Sequence, residues 1–415
     1  MVNSMTESNV IQPDNAQLST KNRIKPSPRV NMAHLAKDMG IYPYFIPNYG
    51  QIGPRTIING KETIMLGSNN YMGLANHPEM IRVAMEAVQK YGTGCTGSRY
   101  LNGTLDLHIE LEEKLAKFTE KDAGICFSTG MQANLGVISG LAQKGDYIIS
   151  DAKNHASIVD GCRLSYAETK VFDHDNMEDL ERVLRTLPRD ANKLVISDGV
   201  FSMEGNLANV PVLSELSEQY NARLMIDDAH GVGYLGKHGE GTGGYYNMMD
   251  KIDLLVGTFS KSFASIGGFV TAREDIIDHL QHHARSLIYS ASLPPASVAA
   301  ASKAIDLFYE GDERRKQVMK NAKMFRDGLD ELGFTTIQGK TPVVPIIIGD
   351  VMKMLKFNHK LIDAGVYTNP VPPPAAVKAM LRTSMIATHT EQDVQEALEI
   401  FEKVGRKTRI LKKKK

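Results

Sequence analysis

Tryptophan is absent from this 415-residue chain and cysteine is nearly so. The first absence carries no inference. The three cysteines, Cys95, Cys126 and Cys162, are scattered and odd in number. They form neither a disulfide framework nor a metal-ligand spacing, so no metal site is expected and a reducing, cytoplasmic setting is. Net charge is missing too: 48 basic residues balance 48 acidic ones, which leaves no bulk-charge reason to expect nucleic acid as a partner. No run approaches the roughly 20 apolar residues of a membrane span, and no signal peptide is visible. Internal repeats are also lacking. The length suits one large α/β domain with a smaller one attached.

What is present is an alternation of helices with short apolar strands. Strands are expected at Gly124–Phe127, Tyr147–Ser150, Lys170–Phe172, Leu194–Ser197, Arg223–Ile226, Leu254–Gly257 and Gly268–Thr271. That alternation predicts a mostly parallel sheet between helices. Asn59-Gly60, inside Arg55–Leu66, predicts a small hairpin, because Asn-Gly is the strong two-residue turn signal. The partition that follows is a flexible polar arm (1–29), an N-terminal helix and hairpin segment (30–75), a large domain (76–300), a smaller α+β domain (301–405) and a basic tail (406–415). A solvated tail is the plain reading of that last run; weak peripheral attraction to anionic lipid of the inner membrane is the functional one.

Three segments carry chemistry. Gly257 to Phe269 holds one lysine, Lys261, among Thr258, Ser260 and Ser262, with Gly267-Gly268 letting backbone come close. Hydroxyls beside a lysine suit a Schiff base to pyridoxal phosphate (PLP) with its phosphate nearby. Arg223 to Gly231 reads as a buried strand ending in Asp227-Asp228-Ala229-His230, where open α/β sheets bind ligands. Asp227 fits the acid needed against a pyridine nitrogen, and His230 a partner for the ring's phenolic oxygen. Asn154-His155-Ala156-Ser157 follows another strand and offers His155 to lie flat on the ring. Each segment follows a strand end, and each supplies a residue type that one cofactor requires.

With Gly67–Leu74, Phe127–Asn134 and Asp198–Gly205, these motifs resemble those of the α-oxoamine synthases. The resemblance runs from about Tyr42 to about Val404. It implies a fold-type I, aspartate aminotransferase-like α/β fold, and a PLP-dependent condensation of an amino acid with an acyl-CoA. Carried over position by position, it makes Lys261 the Schiff-base lysine and the base for the α-proton. Gly130, Met131, Thr258 and Ser260 would hold the phosphate, and Ser202 joins the cofactor-binding set. Ser290 and Ala291 match a segment that reaches the phosphate of a neighbouring subunit, which implies a homodimer with active sites at its interface. Asn69 and Ser98 would approach the substrate, and Arg382 would bind its carboxylate by two bonds.

Within the family, Gly92–Thr104, Ile41–Phe45 and Ser384–Thr390 look most like the bacterial branch that joins L-serine to palmitoyl-CoA. Its product is 3-ketosphinganine, at the start of sphingolipid synthesis. Ser98 stands where glycine-using members usually carry threonine, which leaves room for a larger amino acid. Asn154 departs from the Asp that the serine-using branch often has. Glycine, alanine or cysteate remain alternatives, and a non-catalytic subunit that stabilises a partner is the alternative of another class.

Overall fold

The computed structural model describes residues 28–411. The described residues up to Tyr42, with the helix Pro28–Asp38, belong to one unit; those from Pro43 onwards form another. The expected arm falls almost wholly outside the described residues.

The second unit opens with the hairpin β1 (Arg55–Ile58) and β2 (Lys61–Met65). Asn59 (φ 51°) and Gly60 (φ 75°) are both left-handed, as this turn demands. The main sheet has seven strands: β3 (Ala123–Phe127), β4 (Tyr147–Asp151), β5 (Glu168–Phe172), β6 (Lys193–Asp198), β7 (Arg223–Asp227), β8 (Leu254–Thr258) and β9 (Gly268–Ala272), in the order β3-β9-β8-β7-β6-β4-β5. Every neighbouring pair is parallel except the two made by β9. All seven expected strands form, each longer by one or two residues.

Their near-continuous apolar runs follow from burial on both faces. Val195, Leu224, Ile226, Leu255 and Phe269 point to one side of the sheet. Leu194, Ile196, Met225, Leu254, Val256 and Val270 point to the other, where helices Gly130–Leu141, Ala156–Leu164 and Glu274–His283 cover them.

Later strands are β10 (Thr335–Thr336), β11 (Val343–Gly349), β12 (Val366–Tyr367), β13 (Asn369–Val371) and β14 (Ala379–Ser384). They build a sheet of order β10-β11-β14-β13, while β12 joins β2. The basic run expected as a tail from Arg406 begins instead inside the last helix, Glu391–Lys407. Arg406 donates to Glu402 (2.6 Å), and Leu411 is buried against Gly405, so the chain stays packed past the expected boundary. Lys412 to Lys415 lie outside the described residues. Among those described, no helix is long and apolar enough to cross a membrane.

The β8–β9 connection is held by aromatic packing. Phe259 and Phe263, either side of Lys261, are fully buried and meet each other and Phe269 at ring distances of 5.0 to 6.0 Å. Phe263 also meets Phe308 edge-on at 4.9 Å. Truncating such a ring loses its transfer free energy and leaves a cavity. Phe263→Ala is expected to lower stability by about 3–5 kcal/mol in denaturant unfolding, whereas Tyr166→Ala, at an 83% exposed position, should leave the midpoint unchanged.

Candidate active site

Loops leaving the C-terminal ends of β3, β4, β6, β7 and β8 meet around one cavity of about 350 Å3. Each loop presents its side chain for a local reason. After β3, Thr129 caps the helix Gly130–Leu141, its Oγ1 accepting the Gln132 N–H at 3.1 Å. A Cβ at Gly130 would lie 2.9 Å from Thr258, and one at Gly268 would lie 2.6 Å from Gly130 Cα. The helix therefore begins as bare backbone amides facing the cavity, which is an anion site.

After β8, Thr258 Oγ1 meets Ser260 Oγ at 2.9 Å and the Gly267 carbonyl at 3.0 Å. The Ala264 N–H closes a turn onto the Lys261 carbonyl at 2.9 Å. Lys261 is thus fixed between its two buried phenylalanines while its amine reaches the cavity. Removal from water lowers its pKa from 10.5 to about 8; Asp227 opposes this and Arg382 adds to it. Near neutral pH more of it is therefore free amine than of an ordinary lysine.

At the end of β7, Asp227 is 6% exposed. Its Oδ2 accepts from Asn134 Nδ2 at 2.6 Å and its Oδ1 from the Ala229 N–H at 3.1 Å. Asp228 turns the other way and accepts from both the Oγ1 (2.6 Å) and the N–H of Thr242, anchoring the following loop. Burial raises its pKa to about 6. His230 Nδ1 lies 2.8 Å from the Tyr71 hydroxyl, and burial pushes its pKa well down, aided by Lys261 and Arg382. This imidazole is neutral. After β4, His155 caps the helix Ala156–Leu164, Nδ1 accepting the Ser157 N–H at 3.3 Å. Its pKa is also lowered by desolvation, with Asp227 opposing. After β6, burial and then the charge of Asp227 raise the Asp198 carboxyl well above the usual range.

Gly130, Met131, His155, Asp227, His230, Thr258, Ser260 and Lys261 all line the cavity. Asn69, Ser98, Ser202, Ser290, Ala291 and Arg382 do not. Three of these connect to it from below: Arg382 donates to the Ser202 carbonyl (2.6 Å), Asn69 Oδ1 (3.0 Å) and Tyr71 Oη (3.2 Å), and Tyr71 joins His230. Ser290 accepts from Gln132 (2.9 Å), the Ala291 carbonyl accepts from the Ser128 hydroxyl, and Ser98 bridges to Ala291. Asn134, Ser157, Asp198 and Tyr71 were given no role by the sequence reading. The signal for Asn134 was its spacing: four residues past Gly130 it shares that residue's helix face.

The donor set fits PLP. Bare helix amides with two hydroxyls match a phosphate, a buried carboxylate matches a pyridinium nitrogen, and a lysine of low basicity matches an aldehyde. Residues 61–401 match the model of the aminotransferase class I and II family. The chain belongs to that family, among its α-oxoamine synthases.

The enzyme is 44% identical to a serine palmitoyltransferase of Sphingobacterium spiritivorum, over 92% of this chain and 96% of that one. It is 43% identical to an 8-amino-7-oxononanoate synthase of Thermoanaerobacter pseudethanolicus, over 90% and 96%. A solved serine palmitoyltransferase from S. paucimobilis, with a bound PLP–myriocin aldimine, superposes with a TM-score of 0.90 at 36% identity, covering 92% of this chain and 98% of that one. The fold is therefore fold-type I, and the protein is a PLP-dependent acyltransferase.

Only the neutral amine of Lys261 can attack an aldehyde. Below pH 8 the rate of PLP capture by cofactor-free enzyme should rise about tenfold per pH unit, levelling above about pH 8 rather than pH 10.5. Stopped-flow absorbance against pH measures this; a rise continuing to pH 10 would contradict the depressed basicity.

Proposed function

We propose that the enzyme condenses L-serine with palmitoyl-CoA, releasing CoA and carbon dioxide and forming 3-ketosphinganine. The observation that carries the amino-acid part is Arg382. It is 5% exposed, donates only to neutral groups and, among the described residues, makes no ion pair. A buried guanidinium without an anion is costly unless a ligand supplies one. The α-carboxylate of an amino acid does, and the planar cation matches it. The serine palmitoyltransferase relatives and the serine at position 98 support L-serine as that amino acid.

Bound PLP supplies an electron sink for the pair left on the substrate α-carbon. Asp227 would face the pyridine nitrogen. The amides of Gly130 and Met131, with Thr258 and Ser260, hold the phosphate. Lys261, free near neutral pH, takes the α-proton at its Nζ. His155 would stack on the ring and, with Arg382, would set which α-bond is aligned for cleavage, an orientation effect. The carbon so freed attacks the thioester carbonyl, and CoA leaves with the thioester bond's electrons.

We further infer a homodimer, with Ser290 and Ala291 reaching the neighbouring subunit's phosphate and Asn69 and Ser98 lying near the shared site. Exposed Leu101 (78%), Tyr289 (72%), Ile266 (50%) and Met131 (47%) support a covered surface there.

Titrating the PLP-loaded enzyme with L-serine, glycine, L-alanine and L-cysteate, then adding palmitoyl-CoA and following CoA release, tests the substrate. Saturable serine binding with serine-dependent CoA release is expected; a stronger response to another amino acid keeps the reaction and changes the substrate. Arg382→Ala should raise the KM for serine about 10–100-fold through loss of charge-assisted bonds. Lys261→Ala should abolish turnover, and unmutated turnover would remove Lys261 as the base.

A further inference from the structure

Asn134 is 2% exposed, and both of its amide protons are committed. One goes to Asp227 Oδ2 (2.6 Å), the other to Ser157 Oγ (2.8 Å). Its own Oδ1 is buried without a partner in the structure. Turning the amide over would set that oxygen against the Asp227 carboxylate, so an unpaired oxygen is tolerated to keep the NH2 group towards two acceptors.

The consequence passes to His155. The Ser157 oxygen accepts from Asn134, which leaves its single proton for His155 Nδ1, 2.7 Å away. The Ser157 backbone N–H points at the same nitrogen from 3.3 Å. Facing two donors, Nδ1 is the unprotonated nitrogen, and the ring proton sits on Nε2.

We propose that Asn134 is a positioning residue whose one amide group both holds Asp227 and, through Ser157, fixes His155 as the Nε2–H tautomer. What Asp227 and His155 do in turnover rests on the function proposed above; the relay itself does not. A neutral imidazole with Nε2–H donates a hydrogen bond towards the cavity without adding charge beside Lys261 and Arg382. A wrong tautomer at a catalytic histidine is known to be costly even when geometry survives.

Asn134→Asp separates this role from simple space-filling. The new carboxyl has no proton to offer Ser157 when ionised, and only one, shared with Asp227, when protonated. Ser157 then turns its proton away, its oxygen accepts from His155, and the tautomer reverses. The measurement is the 15N spectrum of histidine-labelled, full-length protein without added PLP, with His155 assigned by its loss in His155→Gln. The unsubstituted protein should show Nε2 protonated, and Asn134→Asp should show Nδ1 protonated. Finding Nδ1 protonated in the unsubstituted protein, or an unchanged tautomer in folded Asn134→Asp, overturns the proposal. Should Asn134→Asp not fold, Asn134→Ala decides: a population of Nδ1–H must appear, and its absence overturns the relay. With PLP restored, kcat for Asn134→Asp should fall on the order of 10–100-fold, as for other residues that orient a functional histidine. If serine fails to bind the unsubstituted enzyme, the substrate assignment falls while the tautomer result stands.

Discussion

A carboxylate at the end of β7 is buried where little water reaches it, and much of the site is arranged around its two oxygens. Asp227 accepts from an amide side chain and a backbone N–H and, among the described residues, makes no direct salt bridge. Its neighbours respond in keeping: burial, then the charge of Asp227, raises the Asp198 carboxyl well above the usual range, while Lys261 keeps more basicity than its desolvation alone would leave. Asp228, one residue on, is turned away from the cavity and serves the loop to Thr242. Two adjacent acids thus have unrelated duties, decided by which side of the strand each faces.

The second sheet enters this electrostatic system through one side chain. Arg382 lies on β14, opposite Pro345 of β11, and reaches across to Ser202, Asn69 and Tyr71. Tyr71 passes the contact to His230, and its edge packs on Tyr234 at 5.3 Å. Arg382 and His230 are therefore joined through a single buried phenol.

Much of this was legible in the chain. The seven strands showed because burial on both faces forces unbroken apolar runs, and eight of the residues singled out near their ends line one cavity. Asn134 and Ser157 were less legible, although both sit inside recognised motifs, because a polar residue on a buried helix has no sequence mark that separates a relay from an ordinary packed amide. The end of the last helix was misread: a lysine-rich run looks solvated, but Leu411 needs cover and Gly405 leaves room for it, so the fold continues past Arg406. Long-range pairings such as Arg382 with Ser202 depend on the packing of two sheets and have no local signal at all.

The order of the main sheet also bears on how the chain is made. β3 sits at one edge, and the strand it pairs with is β9, encoded far downstream. At roughly 5–20 residues per second, the ribosome needs on the order of ten seconds after releasing β3 before its partner emerges. During that interval the apolar segment Ile125–Phe127 has no strand to bond, and its pairing must also bear the entropy of closing a very long loop. β9 is the last strand of the sheet to be synthesised, and it enters between two strands already present. The same insertion brings Gly268 against Gly130, so the wall of the cavity at the start of the helix Gly130–Leu141 cannot exist until the sheet is complete.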